Sequence, residues 1–529
     1  MGRRGAVASN HPLASQAGLD ILRAGGNAID AAVAIGFAVG VVEPHMSGIG
    51  GDSFYQIHRV DGSAPSVING TGSAPATSSA SHFRQGGMPN AGLRSASTPG
   101  TVGALAAMHA RHGRMKWADL LKPAIAFARD GFAATHAYRH FARQERGRLM
   151  AEPKSCEVFL HGSTDGTPPP LGAVISQPDL ACTLEQLAAD GAESFYRGAL
   201  ARRIAVAMQA RGGLVSEADL AAYEPELQAP ISVSYRGYEF RQTALNSSGF
   251  VLLRELKIAE RFDLARFGAG SADLVHVMVE AKKRAFVDRE RLGGDPRHVD
   301  LLLDVILSDD QADRAAAEID LHRAATPDLP TFSAQGDTTY FCVVDQDGNG
   351  VSAIQSLNLA FGSGVLAGDT GILMNNRMAY WHLEPGHPNL LVPGKRVRHT
   401  MNAPMILRDG KLWCVFGTPG ADNQVQINFQ VAVAMLDFGF DPQEAVEAPR
   451  WSSNQPGQDS NYPHAGEFAL TLEDRFPRDV SADLERRGHR VLRVGDLDGP
   501  CNVEAIRVLD NGVRMAGSDP RRDGWALAY

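Results

Sequence analysis

Residues 338–344 and 351–357 are two apolar, β-rich runs on either side of Asp345-Gln346-Asp347-Gly348-Asn349-Gly350. Strand-forming residues flanking an Asp/Asn/Gly cluster read as an antiparallel hairpin. The first run, Thr338-Thr339-Tyr340-Phe341-Cys342-Val343-Val344, reads as a buried strand. Loop parity decides which side chains share a face of this hairpin. With Gly348 at the centre of an odd-length loop, Thr338 lies opposite Asn358 and Tyr340 opposite Ser356. Thr338, Ser356 and Asn358 then point to one side. A two-residue Asp-Gly turn shifts the pairing by one and puts Thr338 on the face away from the other two. The odd loop is expected, with Gly348 or Asn349 in a left-handed conformation.

A polar, Pro-containing stretch, 326–335, precedes the first strand. An internal threonine here gains chemical meaning if the chain is cut ahead of it. Scission between Asp337 and Thr338 gives Thr338 a free α-amine beside its own hydroxyl, which pairs nucleophile and general base in one residue. A Thr-Thr pair at a strand head also follows from β-propensity alone. On the shared face, Ser356 can hydrogen-bond the Thr338 hydroxyl or amine, and Asn358 can offer its amide to a substrate. The same two residues can simply satisfy backbone groups at a strand end. A third element is Phe416-Gly417-Thr418-Pro419-Gly420-Ala421-Asp422-Asn423, after an apolar strand at 412–416. A Gly-rich turn exposes consecutive N–H groups able to stabilise an oxyanion, or is a plain tight turn.

The chain has 529 residues, 44% hydrophobic and 21% charged, which is globular composition with room for several domains or one large unit. Its formal charge of -9 disfavours nucleic acid or an anionic membrane as partner. Arg521-Arg522 reads as solvated surface. The five cysteines are spaced too widely for a zinc knuckle or a redox pair. Cys342 and Cys414 read as buried thiols, and the pattern fits a reducing compartment. No apolar core follows Arg3 and Arg4. The most apolar stretch, 31–42, is too short to cross a bilayer and reads as a buried helix of a cytoplasmic protein.

Helical spacing covers 13–24 and ends at Gly25-Gly26. Asn27 caps the next helix, with Asp30 in its first turn and a stop before Pro44. Ser47-Gly48-Ile49-Gly50-Gly51-Asp52-Ser53-Phe54 fits neither phosphate-loop spacing and reads as a tight turn near a cleft. Residues 62–103 read as mostly loop. Residues 117–321 read as largely helical, interrupted by one β-like piece at 231–240. His136 and His140 sit four apart without the glutamate of a metalloprotease motif and read as a solvated face. Strands and turns follow Thr338, with helices near 428–438 and 482–487.

Together these pieces resemble the γ-glutamyltransferase (γ-glutamyltranspeptidase) family of N-terminal nucleophile hydrolases. The resemblance covers nearly the whole chain. It is carried by Gly25-Gly26-Asn27-Ala28-Ile29-Asp30-Ala31-Ala32, Thr98-Pro99-Gly100-Thr101-Val102, Ala128-Arg129-Asp130-Gly131-Phe132, Ala448-Pro449-Arg450-Trp451 and Gly517-Ser518-Asp519-Pro520-Arg521. It implies an α+β fold, a four-layer αββα sandwich, made as a precursor that cuts itself. The expected subunits are a helix-rich 1–337 and a strand-rich 338–529, joined in one structural unit. Thr338 matches the nucleophile, Asp337 the residue before the cut, Ser356 a supporting hydroxyl and Asn358 a substrate-binding asparagine. Gly420 and Ala421 match an oxyanion pair. No metal or organic cofactor is expected.

The departures bear on substrate. Thr71 stands where the family's glutamyl-binding arginine belongs. His399-Thr400 replaces a serine pair, and Arg377 and Tyr380 replace a glutamine and an aspartate. A cationic Arg377 with His399 and Thr400 beside it suits a substrate carboxylate, although a surface ion pair accounts for Arg377 equally well. The 398–402 and 417–420 segments look like the oxamate amidohydrolase branch. The expectation is therefore an amidohydrolase acting on a small carboxylate-bearing amide. A γ-glutamyl hydrolase or transpeptidase using glutathione-type substrates and a cephalosporin-type acylase are the alternatives. A non-catalytic binding protein is the reading from another class. The physiological substrate, the balance of hydrolysis and transfer, the completeness of processing and the oligomeric state, homo-oligomer included, are left open.

Overall fold

The computed structural model describes residues 1–326, 337–455 and 469–529. Most of the polar stretch ahead of Asp337 lies outside the described residues, as does the Asp337 side chain. In chain order the strands of the two main sheets are β1 (Ala6–Ser9), β2 (Asp52–His58), β3 (Ser66–Gly70), β4 (Glu226–Gln228), β5 (Ile231–Tyr235), β6 (Tyr238–Gln242), β7 (Asp337–Val344), β8 (Gly350–Asn358), β9 (Met405–Arg408), β10 (Lys411–Gly417), β11 (Glu504–Val508), β12 (Arg514–Ser518) and β13 (Trp525–Ala528). The seven-stranded sheet runs β13-β1-β7-β8-β2-β3-β4, and the six-stranded sheet runs β12-β11-β10-β9-β6-β5.

The two sheets face each other across an apolar seam that includes Ala8, Phe54, Tyr340, Cys342, Ile354, Met405, Val415 and Ile506. Helices α1 (Pro12–Arg23), α2 (Ala28–Val42), α3 (Thr101–His112) and α4 (Trp117–Asp130) cover the outer face of the first sheet. Helices α5 (Gly249–Ala259), α6 (Ala272–Leu292) and α7 (Asn423–Leu436) cover the second. The result is the four-layer αββα sandwich expected. Among the described residues no helix is long and apolar enough to cross a membrane.

Local rules account for the central elements. Every residue of α2 is buried, so it sits inside the helical layer. Its start is a capping box: Asn27 Oδ1 accepts the N–H of Ile29 and Asp30, and Asp30 accepts the N–H of Asn27. In β7 the side chains alternate. Tyr340, Cys342 and Val344 enter the inter-sheet seam, and Phe341 and Val343 enter the first helical layer.

The β7–β8 loop has the expected odd length but is centred one residue early. The Asp345 N–H donates to the Asn349 carbonyl, closing a three-residue loop around Asp347. Asp345 Oδ1 accepts the N–H groups of Asp347, Gly348 and Asn349, each at 3.0 Å. That carboxylate gathers three amides and so closes the turn at 345. Gly348 is left-handed, with φ +95. Tyr340 therefore faces Ile354, not Ser356, and Thr339 faces Gln355. The register then shifts, so that Asn358 pairs with Asp337, not Thr338. Thr338 and Ser356 keep the expected parity because the centre moved while the loop stayed odd; Asn358, beyond the register shift, no longer pairs in that phase.

Two other expectations gain detail and one is corrected. The 62–103 region holds β3, whose Val67 and Ile68 pack to opposite faces of the sheet, within loop-like composition. The β-like piece at 231–240 is a hairpin, β5–β6, reversed at Arg236-Gly237, both with positive φ. Arg521 is not solvated. Its side chain is 1% exposed because Glu473 and Asp519 both bind it.

Asp345 also accepts the N–H of Ala28 at the start of α2, at 3.0 Å. Asp345→Ala leaves four backbone donors without this acceptor. A loss of about 3 kcal/mol or more is expected, read as a fall in the urea midpoint. A change below about 1 kcal/mol would contradict this role for the turn.

Candidate active site

Thr338 has the parity of Tyr340, so its side chain faces the space between the sheets at the start of β7. It is 2% exposed. Its Oγ1 lies 3.4 Å from Ser356 Oγ and 3.5 Å from Gln424 Nε2. Gln424 is in the first turn of α7. Its Oε1 accepts Asn402 N–H at 3.2 Å and Asn402 Nδ2 at 3.1 Å, which aims the Nε2 end at Thr338. Thr339 points the other way and donates to Glu43 Oε2 at 2.6 Å. Burial pushes the Glu43 carboxyl up to about 8, against the opposing pull of the Thr339 bond, so it is protonated at neutral pH.

Ser356 is a junction. Its Oγ accepts the N–H of Asn358 at 2.8 Å and Arg377 Nη2 at 3.1 Å. Arg377 Nη1 donates to Asn358 Oδ1 at 3.0 Å, and Nε donates to Asp52 Oδ2 at 3.0 Å. Asp52 Oδ1 accepts the Gly72 N–H at 3.0 Å. The Arg377 and Asp52 side chains are 2% and 1% exposed, so this is a buried ion pair and not a surface one. The Gly-rich run before Asp52 allows it. A Cβ on Gly51 would come within 2.2 Å of the Ser356 carbonyl oxygen, so only glycine lets β2 enter tightly enough beside β8.

His399 Nε2 lies 3.4 Å from Asp52 Oδ2, and Nδ1 accepts the Met401 N–H at 3.2 Å. A ring nitrogen that accepts carries no proton, so in the neutral ring the proton is on Nε2, facing Asp52. Burial, with help from the Arg377 charge, pushes His399 down to about 4. Burial acts to raise Asp52, but the His399 bond and the Arg377 charge outweigh it and hold Asp52 below its ordinary value. The positive charge expected of Arg377 is thus already met by Asp52, and His399 is neutral. Thr400 is buried beside His399, and its carbonyl accepts Asn402 Nδ2 at 3.1 Å. Thr71 is fully buried and donates to Asn69 Oδ1 at 2.7 Å.

The Gly420–Ala421 turn joins β10 to α7, with φ +111 and +51. Among the described residues no acceptor meets the N–H of either. These amides stand one turn from Gln424, which reaches Thr338. A hydroxyl, its hydrogen-bonded hydroxyl partner and two open amides at a helix N-terminus can support attack on a carbonyl and hold the oxyanion that forms.

Two clusters elsewhere contain metal-ligand residue types: His276, Glu280 and His489, and Glu290, His382 and His387. Protein partners engage their donors. His276 Nδ1 meets His489 Nε2 at 2.8 Å, and Glu280 binds Lys283 and Arg284. His387 Nδ1 accepts the Asn389 N–H, which puts its proton on the Nε2 that faces Glu290.

Sequence reasoning found Thr338, Ser356, Asn358, Arg377 and His399, which the structure joins in one network. It missed Asp52 as the Arg377 partner and Gln424 as the second contact of Thr338. Asp52 did close a Gly-rich run already read as lying near a cleft. Gln424 had no local signal beyond its nearness to the Gly420 turn.

Residues 14–529 match the family model described as gamma-glutamyltranspeptidase. The chain is 37% identical to the glutathione hydrolase-like YwrD proenzyme of Bacillus subtilis, over 100% of this chain and 99% of that protein. It is 36% identical to the oxamate amidohydrolase proenzyme of Klebsiella pneumoniae, over 99% and 98%. The crystal structure of a cephalosporin acylase from Bacillus halodurans superposes with a TM-score of 0.91 at 34% identity, covering 100% of this chain and 96% of that one.

Asp52→Asn leaves the Arg377 charge buried without its counter-ion and should cost about 3–5 kcal/mol. The pH dependence has a defined sign. The Asp52 contribution is present above the unfolded value near 4 and is lost as pH falls through its lower folded value. His399 stays neutral in the fold down to about 4, while the unfolded ring takes its proton near 6.5. Stability should therefore drain between pH 6.5 and 4. Urea midpoints across that range should fall; other histidines held down by burial, His11 and His489 among them, share in the fall, and His399→Gln should lessen its slope. An unchanged slope in the variant would rule out the His399 assignment.

Proposed function

The chain belongs to the gamma-glutamyltranspeptidase family and is a hydrolase of amide C–N bonds, and we propose that Thr338 is its nucleophile, released when the precursor cuts itself after Asp337. The observation that carries this reading is the Thr338 hydroxyl on the inner face of β7, within reach of Ser356 Oγ and of Gln424 Nε2, on the helix whose start follows the open amides of Gly420 and Ala421. Proenzyme names among its relatives accord with a self-processing precursor.

In the first stage Thr338 Oγ1 attacks the Asp337 carbonyl carbon, the acyl group shifts from nitrogen to oxygen, and water hydrolyses the ester. Residues 1–337 and 338–529 become two subunits of one structural unit. In the second stage the freed α-amine takes the hydroxyl proton as Oγ1 attacks a substrate amide. The Gly420 and Ala421 amides hold the oxyanion. The leaving amine takes the proton from the α-ammonium, and water then clears the acyl ester. Ser356, held by the Asn358 amide and Arg377, orients the threonine.

The substrate class is a small amide bearing a carboxylate, of the oxamate kind. Each terminal nitrogen of Arg377 has two N–H groups, one of which is used in the contacts above. The other can meet a carboxylate while Asp52 keeps the site electrically balanced. Asn358 lies beside the same guanidinium, and His399 and Thr400 form the wall beyond Asp52. Buried Thr71, tied to Asn69, offers no cation of the kind a glutamyl α-carboxylate would use. A glutathione-type substrate is the second reading, favoured by the name of the Bacillus subtilis relative. An acylase reaction is the third, favoured by the 0.91 superposition.

Purified protein should separate into two fragments, the smaller beginning at Thr338 by N-terminal sequencing. Thr338→Ala should stay whole by intact mass and lose at least about a thousandfold in turnover. A variant that still cuts, or still turns over, would remove Thr338 from the reaction. On processed enzyme, ammonia release from oxamate should exceed release from γ-glutamyl-p-nitroanilide, and Arg377→Ala should abolish that preference. The reverse order of rates would move the assignment to the glutamyl reading.

A further inference from the structure

Asp422 stands at the N-cap of α7, where an aspartate ordinarily folds its carboxylate back onto the first-turn N–H groups. Here it makes no such bond. Its backbone is helical, φ -71 and ψ -8, and not the extended conformation that a capping side chain needs. Its carboxylate instead binds Arg289 Nη1, with both side chains 1% exposed. Arg289 comes from α6, 133 residues earlier in the chain. Its guanidinium lies 4.6 Å from the centroid of the Phe286 ring, and Nη2 is 3.7 Å from Glu290 Oε2. Another cation whose charge acts on Asp422, Arg398, is engaged with other partners: Nη2 lies 2.9 Å from Glu290 Oε2 and Nη1 donates to the Arg289 carbonyl. Lys282 also stands close enough to feel the Asp422 charge.

We propose that Arg289 is a positioning residue for the reaction: it neutralises the Asp422 carboxylate at the N-terminus of α7 and aims it away, so that no bare negative charge stands beside the Gly420–Ala421 amides that hold the oxyanion. This rests on the reading of that turn as the oxyanion site. A helix N-terminus attracts whichever anion is nearest. A carboxylate left without a counter-ion one residue beyond that turn would repel the charge that develops on the substrate carbonyl. The expected oxyanion pair Gly420-Ala421 is followed directly by Asp422, so this chain carries an acid one residue beyond its anion site. Arg289 neutralises that acid and aims it away. The turn also depends on outside support, because Ala421 holds φ +51 and a Cβ on Gly420 would meet Cys501 Sγ at 2.2 Å.

The test uses processed enzyme and phenylboronic acid, whose boron accepts a nucleophilic hydroxyl and becomes a tetrahedral anion resembling the intermediate. Wild type should be inhibited. Arg289→Met should weaken inhibition at least tenfold and lower kcat by about one to two orders of magnitude, with KM changed less than threefold. Adding Asp422→Asn to that variant should restore most of both losses, because the competing charge is gone. Equal inhibition of wild type and Arg289→Met, or a double variant as impaired as the single, would overturn the proposal. If wild type itself forms no boronate adduct, the nucleophile and its anion site are misassigned and the proposal falls with them. Should Arg289→Met fail to fold, Arg289→Lys keeps the charge and loses the fork. It should then show a three- to tenfold loss, again recovered by Asp422→Asn, and no recovery would overturn the proposal.

Discussion

The phase of the β7–β8 hairpin is set by one buried carboxylate, and the site depends on that phase. Asp345 gathers three loop amides and the first amide of α2. A side chain period of two means that a one-residue slip would turn Thr338 toward the first helical layer and bring Thr339 to the inner face. The same carboxylate ties the turn to a helix that is buried at every residue. The hairpin is therefore held at both ends: by Asp345 at the turn, and at the open end by Glu43 on Thr339 and Ser356 near Thr338.

Charge inside the site is balanced locally. A buried arginine is tolerable only with a well-placed counter-ion and its remaining donors used. Arg377 has that counter-ion in Asp52 and places one N–H of each terminal nitrogen on Ser356 and Asn358. The consequence is chemical as well as structural. The hydroxyl of Ser356 sits beside a fixed cation and accepts from two N–H donors and from the Thr338 hydroxyl. The neighbouring His399 is kept neutral by burial and by that cation, so the cluster carries little net charge. A second balanced pair, Arg289 with Asp422, lies behind the Gly420 turn and follows the same rule.

Sequence legibility tracked the range of the interactions. The α2 cap, the odd hairpin loop and the left-handed Gly348 are set by residues within a few positions of one another, and each could be read directly. The loop centre was misplaced because the choice between 347 and 348 rests on how one aspartate side chain turns. Strand β3 was hidden by Ser, Gly, Ala and Pro around a short Val67-Ile68 pair. The Arg377–Asp52 bond joins residues 325 apart, and the Gln424–Thr338 contact joins residues 86 apart. No local pattern encodes either. Arg377 was noticed because of its position in a motif, but its environment, and hence its free charge, could not be. Arg521 shows the same limit: a basic dipeptide looked solvated until Glu473, 48 residues away, was placed against it.

The interleaving of the chain gives the proposed cut its physical sense. β7, which begins at the proposed junction, is bonded on one side to β1 from the start of the chain and on the other to β8. β8 in turn pairs with β2, and β13 closes onto β1. Both parts of the chain thus supply strands to one sheet, and Asp52, Glu43 and Arg289 from the first part bind Arg377, Thr339 and Asp422 from the second. Severing the backbone before Thr338 breaks none of these ladders. The two pieces would part only by exposing a continuous buried seam, so one covalent bond can be given up for a reactive amine while the fold that aims it stays assembled.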